Sequence, residues 1–330
     1  MSIADPLHLP RRDAAPPLTG ATGWLNTEPL APEDLRGHVV LYVFWTYTCI
    51  NWLRASPYVR AWQAKYREQG LVVVGIHTPE FEFERDIDNI TAAVHSHELT
   101  FPIVLDSEYL IWQAFDNHYW PAMYLADVDG AVRYQHFGEG RYAEAERAVQ
   151  RLLSDAGAAT IDADLVAPDA TGDDAPADWT SLKSFESYLG FGRAGGFASP
   201  GGAVPDAPRA YHLPASLARN RWALSGRWTV SRERVAVADP GASLAIGFHA
   251  RDLHLVLAPA ARGKALRFQV TIDEHSPGAA AGLDIGPDGA GLLSEPRMYQ
   301  LLRQQQPITD RIAHITFLDA GVAAYVITFG

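Results

Sequence analysis

The chain has 330 residues, is 48% hydrophobic and carries a formal net charge of −12, so it can bury a large core and its length suggests two domains. The acidic balance argues against nucleic acid, which needs a basic face to neutralise phosphates, and equally against anionic membrane surfaces. No apolar run approaches the ~18 residues a membrane span needs. The stretch Met1–Leu30 has Arg11-Arg12 with no apolar segment after it, which gives no secretory signal, so a soluble, cytoplasmic protein is expected.

Residues 1–21 are rich in Pro and Ala without periodicity and read as a loose arm. Ala31 to Gly37 reads as one turn of helix closed by glycine. Val39 to Val43 is an unbroken apolar run, the pattern of a buried strand. A helix with an internal Pro57 follows and continues to Gln69, where Gly70 stops it. Leu71 to His77 is a second continuous apolar run, expected for a strand covered on both faces. Phe83 to His97 reads as helical with Asp86 or Asp88 as caps, Phe101 to Asp106 as a short strand, and Glu108 to Phe115 as helix. Tyr119 to Leu125 leads into a strand that turns at Asp127-Val128-Asp129-Gly130. Val132 to Phe137 then pairs back, and a last helix covers Ala143 to Leu153.

After Leu153 the composition changes. Residues 155–180 contain Asp155, Asp162, Asp164, Asp169, Asp173, Asp174 and Asp178 with no Lys or Arg, the make-up of a solvated, self-repelling linker. Residues 181–330 read as all-β. Runs at 221–230, 244–250, 253–258, 266–272, 312–318 and 323–329 have strand character and are separated by Gly, Pro and Asp. Regularly spaced short strands suggest a sandwich or jelly roll.

The chemistry concentrates in Phe44-Trp45-Thr46-Tyr47-Thr48-Cys49-Ile50-Asn51-Trp52. Cys49 stands where a strand turns into a helix, so unpaired backbone N–H groups and the positive end of the helix dipole favour its thiolate. It is also the only cysteine in the chain. This stretch resembles the active site of the thioredoxin superfamily, in its TlpA/DipZ-like redoxin branch. Phe44-Trp45 stands at the family's Phe-Trp pair, Cys49 at the nucleophilic position of Cys-x-x-Cys, and Pro57 at the proline of the active-site helix. The resemblance covers residues 22–154 and implies a thioredoxin-like α/β fold. It implies further that Trp120-Pro121 is the family's cis-proline, opposite the cysteine. Ser184 to Ala194, with Phe197 to Gly201, resembles the C-terminal part of DipZ-type proteins, where a β-sandwich like a carbohydrate-binding module follows the thioredoxin-like domain. One departure outweighs these matches: Trp52 replaces the second cysteine of the motif, so no intramolecular disulfide can form.

Thr46, three residues before Cys49, is similar to the threonine of the peroxiredoxin Thr-x-x-Cys, but a hydroxyl closing the turn explains it as well. Glu80 and Glu139 recur in sequences of the DipZ type and are candidates to tune proton transfer near the thiol, although solvated loop carboxylates are the default. His95 and His97 on one helix would point about 200° apart and cannot share an ion; no metal and no cofactor is assigned. Trp222, Leu224 and Trp228 share one face of a strand, either a sugar platform or, as such aromatics more often do, a core. The reading is a thiol redox protein acting through Cys49, with Trp45, Thr46, Trp52 and Pro121 completing the site. Its adduct or sulfenic acid would be resolved by an external thiol, protein or small molecule. The alternative is a redox-inactive binding protein whose β domain takes a glycan or a protein partner.

Overall fold

Seven consecutive apolar residues, Val39 to Trp45, form a strand buried along its whole length. It is the second of six in the first unit of the computed structural model, which describes residues 9–330. One compact unit ends at Asp174 and a second runs from Ala175 to Gly330. The first contains β1 (Gly23–Leu25), α1 (Pro32–Leu35), β2 (Val39–Trp45), α2 (Ile50–Tyr66), β3 (Leu71–His77), α3 (Ile87–Ser96), β4 (Ile103–Leu105), α4 (Leu110–Ala114), β5 (Ala122–Ala126), β6 (Val132–Phe137) and α5 (Tyr142–Asp155). Its sheet runs β1-β4-β3-β2-β5-β6. Strands β2, β3 and β4 are parallel, while β1, β5 and β6 pair antiparallel with their neighbours.

The two central strands are unbroken apolar runs because both their faces are covered. On one face Tyr42, Phe44 and Tyr124 meet Phe115 with ring centroids 5.1–5.3 Å apart, beside Ile111 of α4. By alternation Val43 and Trp45 point the other way. Helix α2 packs on β3, and α5 on β2 and β6. Ten of the seventeen residues of α2 are buried, Trp52, Val59 and Trp62 among them. A 3₁₀ turn, Arg67–Gln69, follows it, and Gly70 ends the segment at φ 102°, a left-handed conformation that glycine adopts without a Cβ clash.

Two stretches read as loose are ordered. Of the expected N-terminal arm, residues 1–8 lie outside the described residues. The rest is tied to the β5–β6 hairpin: Arg12 N donates to Val132 O at 2.9 Å, Ala15 N donates to Gly130 O at 2.8 Å, and Leu9 and Leu18 are buried. The acidic stretch up to Asp174 belongs to the first unit. Buried Glu146 of α5 accepts Val166 N and the Tyr66 hydroxyl, Lys65 of α2 pairs with Asp162 at 3.1 Å, and Gln150 donates to the Asp162 carbonyl. Partners on two helices outweigh the mutual repulsion of the aspartates, which composition alone shows.

The second unit contains β7 (Ser187–Tyr188), β8 (Pro208–Tyr211), β9 (Trp222–Val230), β10 (Val235–Val237), β11 (Ala242–Phe248), β12 (Asp252–Pro259), β13 (Leu266–Ile272), β14 (Ala290–Leu293), β15 (Arg297–Arg303), β16 (Arg311–Phe317) and β17 (Val322–Phe329). Nine of these strands form one curled antiparallel path, β14-β13-β16-β11-β9-β10-β17-β12-β15, with β7 paired to β17 and β8 to β9 off it. Strand β9 serves both halves of it. Trp222–Ser225 pair with β11, and the residues from Trp228 onward pair with β10. The strand turns between them at Gly226, where φ is 87° and a Cβ would lie 2.8 Å from the Cα of Ala242. Trp222, Leu224 and Trp228 all lie in the core, which removes them as a sugar platform.

Candidate functional site

Cys49 is the N-cap of α2. Its extended backbone (φ −76°, ψ 114°) lets its carbonyl accept the Leu53 N–H at 3.0 Å, while its own N–H donates to Thr46 O at 3.3 Å. The tight turn between β2 and α2 therefore presents the sulfur, which is partly exposed, at the end of the helix. The Trp120-Pro121 bond is cis, and the thiol donates to the Trp120 carbonyl at 3.7 Å. The fold thus brings together Cys49 and the Trp120-Pro121 segment, 71 residues on. The helix end favours the thiolate, whereas the Trp120 carbonyl, an acceptor, favours the protonated thiol.

Trp52 is fully buried and lies 5.2 Å from the ring of Trp45, also fully buried. Trp45 meets the ring of His77 edge-on at 4.9 Å, and Tyr47 stacks on the same imidazole at 5.9 Å. These four side chains form an aromatic floor behind the cysteine turn. His77 is fully buried and its ring nitrogens have no hydrogen-bond partner among the described residues. Burial pushes its pKa down to about 3, so it is neutral at ordinary pH. Thr46 is buried and closes the turn through its carbonyl; the hydroxyl is not the cap of α2.

Two carboxylates stand near this turn. Glu139, expected in solvent, is instead buried in an ion pair with Arg54 of α2 at 3.0 Å, their side chains 8% and 3% exposed. Burial raises the Glu139 pKa, against the opposing pull of the Arg54 charge. Glu84 lies in the 3₁₀ turn Glu82–Arg85 and is fully buried. It accepts the Thr48 hydroxyl at 2.6 Å and the backbone N–H groups of Glu80 and Phe81 at 2.6 and 2.9 Å. Burial pushes its pKa up to about 7, reinforced by the Glu80 charge and opposed by the Thr48 hydroxyl. Sequence reasoning singled out neither Glu84, Thr48 nor His77. Glu84 lies in the stretch read as helical from Phe83, where no motif marks it apart from its acidic neighbours Glu80 and Glu82.

Among the described residues no His, Cys, Asp and Glu group is placed to hold a metal ion, and no helix is long and apolar enough to cross a membrane. Cys49, partly exposed, thus meets the Trp120-Pro121 segment, Thr46 closes the turn before it, and Trp45 and Trp52 pack on each other in the core.

Comparison with known proteins agrees with this geometry. Residues 12–135 match the AhpC/TSA family, and residues 184–330 match the thioredoxin-like C-terminal domain family. The chain is 38% identical over 248 residues to Protein DipZ of Mycobacterium bovis, across 74% of this chain; it spans only 35% of the length of that relative. It is 33% identical over 144 residues to the thiol-disulfide oxidoreductase YkuV of Bacillus subtilis, covering 44% of this chain and 97% of YkuV. A solved solution structure of a thioredoxin-like protein in its oxidised form aligns over 44% of this chain and 97% of its own, with 34% identity and a TM-score of 0.41. The match along nearly all of YkuV, with a cysteine capping α2, makes this chain a member of the thioredoxin superfamily, a redoxin of the thiol-disulfide oxidoreductase family.

Proposed function

We propose that the protein is a thiol redox protein that works through Cys49 alone. One observation carries this reading: the only sulfur of a cysteine in 330 residues stands at the N-terminus of α2 against the Trp120 carbonyl, while the position three residues on holds a buried indole. In the first step the Cys49 thiolate attacks a disulfide R–S–S–R′. A Cys49–S–S–R bond forms, and R′–S⁻ leaves and takes a proton from water. An external thiolate then attacks the adduct and releases Cys49, because no second thiol exists in the chain to do so. With a peroxide as oxidant, Cys49 becomes a sulfenic acid as the peroxide is reduced, and an external thiol condenses with it to a disulfide, losing water. The reading assigns no ligand to the second unit, since Trp222 and Trp228 are core residues.

The test is adduct formation by the native protein with glutathione disulfide, read by intact mass, and its release by a reducing thiol. Cys49→Ser must abolish the adduct. If the native chain forms none while the urea-unfolded chain does, the sulfur is shielded and the binding-protein reading replaces this one.

A further inference from the structure

We propose that Glu84 is a positioning residue for Cys49: through Thr48 it holds the turn that presents the thiol and, when ionised, restrains formation of the Cys49 thiolate. The inference rests on the single-thiol reading of the site and adds a proton-controlled restraint to it.

The geometry comes first. Thr48 and Glu84 are both buried, at 2% and 0% exposure, and Thr48 immediately precedes the sulfur-bearing residue in the chain. The contact of 2.6 Å between Thr48 Oγ1 and Glu84 Oε1 ties the β2–α2 turn to the loop after β3. Glu84 Oε2 is engaged by two N–H donors, those of Glu80 and Phe81. A proton arriving on Glu84 must therefore sit on Oε1. There it donates to Thr48 Oγ1, and the Thr48 hydroxyl turns from donor to acceptor. The same short contact thus has two hydrogen-bond arrangements, one for each charge state.

The charge matters because nothing cancels it. Among the described residues no Lys or Arg pairs with Glu84, so its carboxylate is supported by three hydrogen bonds and no cation. A buried negative charge hydrogen-bonded to the residue that precedes Cys49 disfavours a second one on the sulfur. The other ionisable groups on the elements around Glu84 do not replace it. His77 is neutral, and Glu82 pairs with Arg85 at the surface. Asp86 caps α3 by accepting Asp88 N. Glu80, half-buried, carries like charge and pushes Glu84 toward its protonated form. With its pKa near neutrality, Glu84 exists in both states where the thiol works.

The experiment is the rate of Cys49 alkylation by iodoacetamide against pH in the wild-type chain and in Glu84→Gln. The restraint predicts a wild-type titration broader than one group allows. In Glu84→Gln it predicts a single-group curve with a lower midpoint and a rate at neutral pH raised about threefold or more, equal to about half a pKa unit. An unchanged midpoint, or a slower variant, overturns the proposal. If Glu84→Gln does not fold, the wild-type chain decides: its ultraviolet thiolate absorbance must be inflected at the Glu84 carboxyl midpoint read by carbon-13 NMR, and a single-group curve overturns the proposal. Alkylation needs no disulfide exchange. A chain that forms no mixed disulfide but shows the broadened titration rejects the single-thiol function and leaves the coupling standing.

Discussion

Replacing Trp52 by cysteine restores the second sulfur that a dithiol exchange requires. Cys49 accepts the Leu53 N–H at 3.0 Å, so the first turn of α2 is closed and residues 49 and 52 lie on one turn. Helical neighbours three apart have Cβ atoms about 5–6 Å apart, beyond the roughly 3.5–4.5 Å of a disulfide, so closure requires a small backbone shift at the extended N-cap residue Cys49. The cost comes from the aromatic floor. Trp52 is fully buried against Trp45, and aromatic truncation in a core costs about 3–5 kcal/mol. The indole nitrogen has no hydrogen-bond partner among the described residues, so no polar contact with them is lost, and the new sulfur refills part of the space. A loss of about 2–4 kcal/mol is expected, a fall in Tm of roughly 6–12 °C for a unit of this size. That leaves a domain of ordinary stability folded at 25 °C. With no external thiol present, the pre-reduced wild type should open one insulin disulfide and stop at the Cys49 mixed disulfide, whereas pre-reduced Trp52→Cys should release reduced insulin and close its own intramolecular disulfide. A folded Trp52→Cys chain whose introduced thiol forms no disulfide with Cys49 under oxidation, by mass and thiol count, would refute the reasoning, because the turn would then differ from a dithiol site by more than one residue.

Two further predictions concern buried charge. Glu84, raised from 4.5 to about 7, keeps a proton that the unfolded chain releases between those values, so it makes stability fall as pH rises across that window. His77, lowered from 6.5 to about 3, refuses a proton that the unfolded chain takes, so it makes stability fall as pH drops below 6.5. Between pH 4.5 and 6.5 the two slopes oppose each other. Unfolding free energies from urea titrations in that interval should rise with pH in Glu84→Gln relative to wild type and fall with pH in His77→Leu, each by about 1.4 kcal/mol per pH unit; parallel curves refute this. For the Arg54–Glu139 pair, Arg54→Met alone should cost about 3–5 kcal/mol, because it strands a buried carboxylate, and adding Glu139→Leu should recover most of the loss in a double-mutant cycle.

Much of the fold is legible where local pattern and burial agree. Leu71–His77 and the terminator Gly70 are read correctly because an unbroken apolar run followed a glycine stop. Asp86 or Asp88 is read as a cap from residue type and position, and the fold selects Asp86, whose side chain accepts the Asp88 N–H. The strands β1, β7, β8, β10, β14 and β15 are not read. In β15 the residues Met298, Gln300 and Leu302 are as buried as Tyr299 and Leu301, so no polar–apolar alternation marks it. The ordered acidic segment is misread because its partners, Lys65 and Glu146, come from helices that only the fold brings to it. At the site, Cys49, Trp45 and Trp52 are visible as a linear motif. Glu84 is not, since no motif marks it apart from its acidic neighbours until the fold closes Thr48 over it.

Strand β9 has a consequence for how the second unit comes apart. One continuous backbone is zipped to β11 along Trp222–Ser225 and to β10 along Trp228, Thr229 and Val230, with Gly226 as the joint between. Neither half of the curled sheet can open fully without pulling on a strand that the other half holds. The unit is therefore built as one cooperative block. Amide protons of Leu244 in one half and Leu255 in the other should exchange with solvent at the same limiting free energy, the hallmark of a single unfolding event.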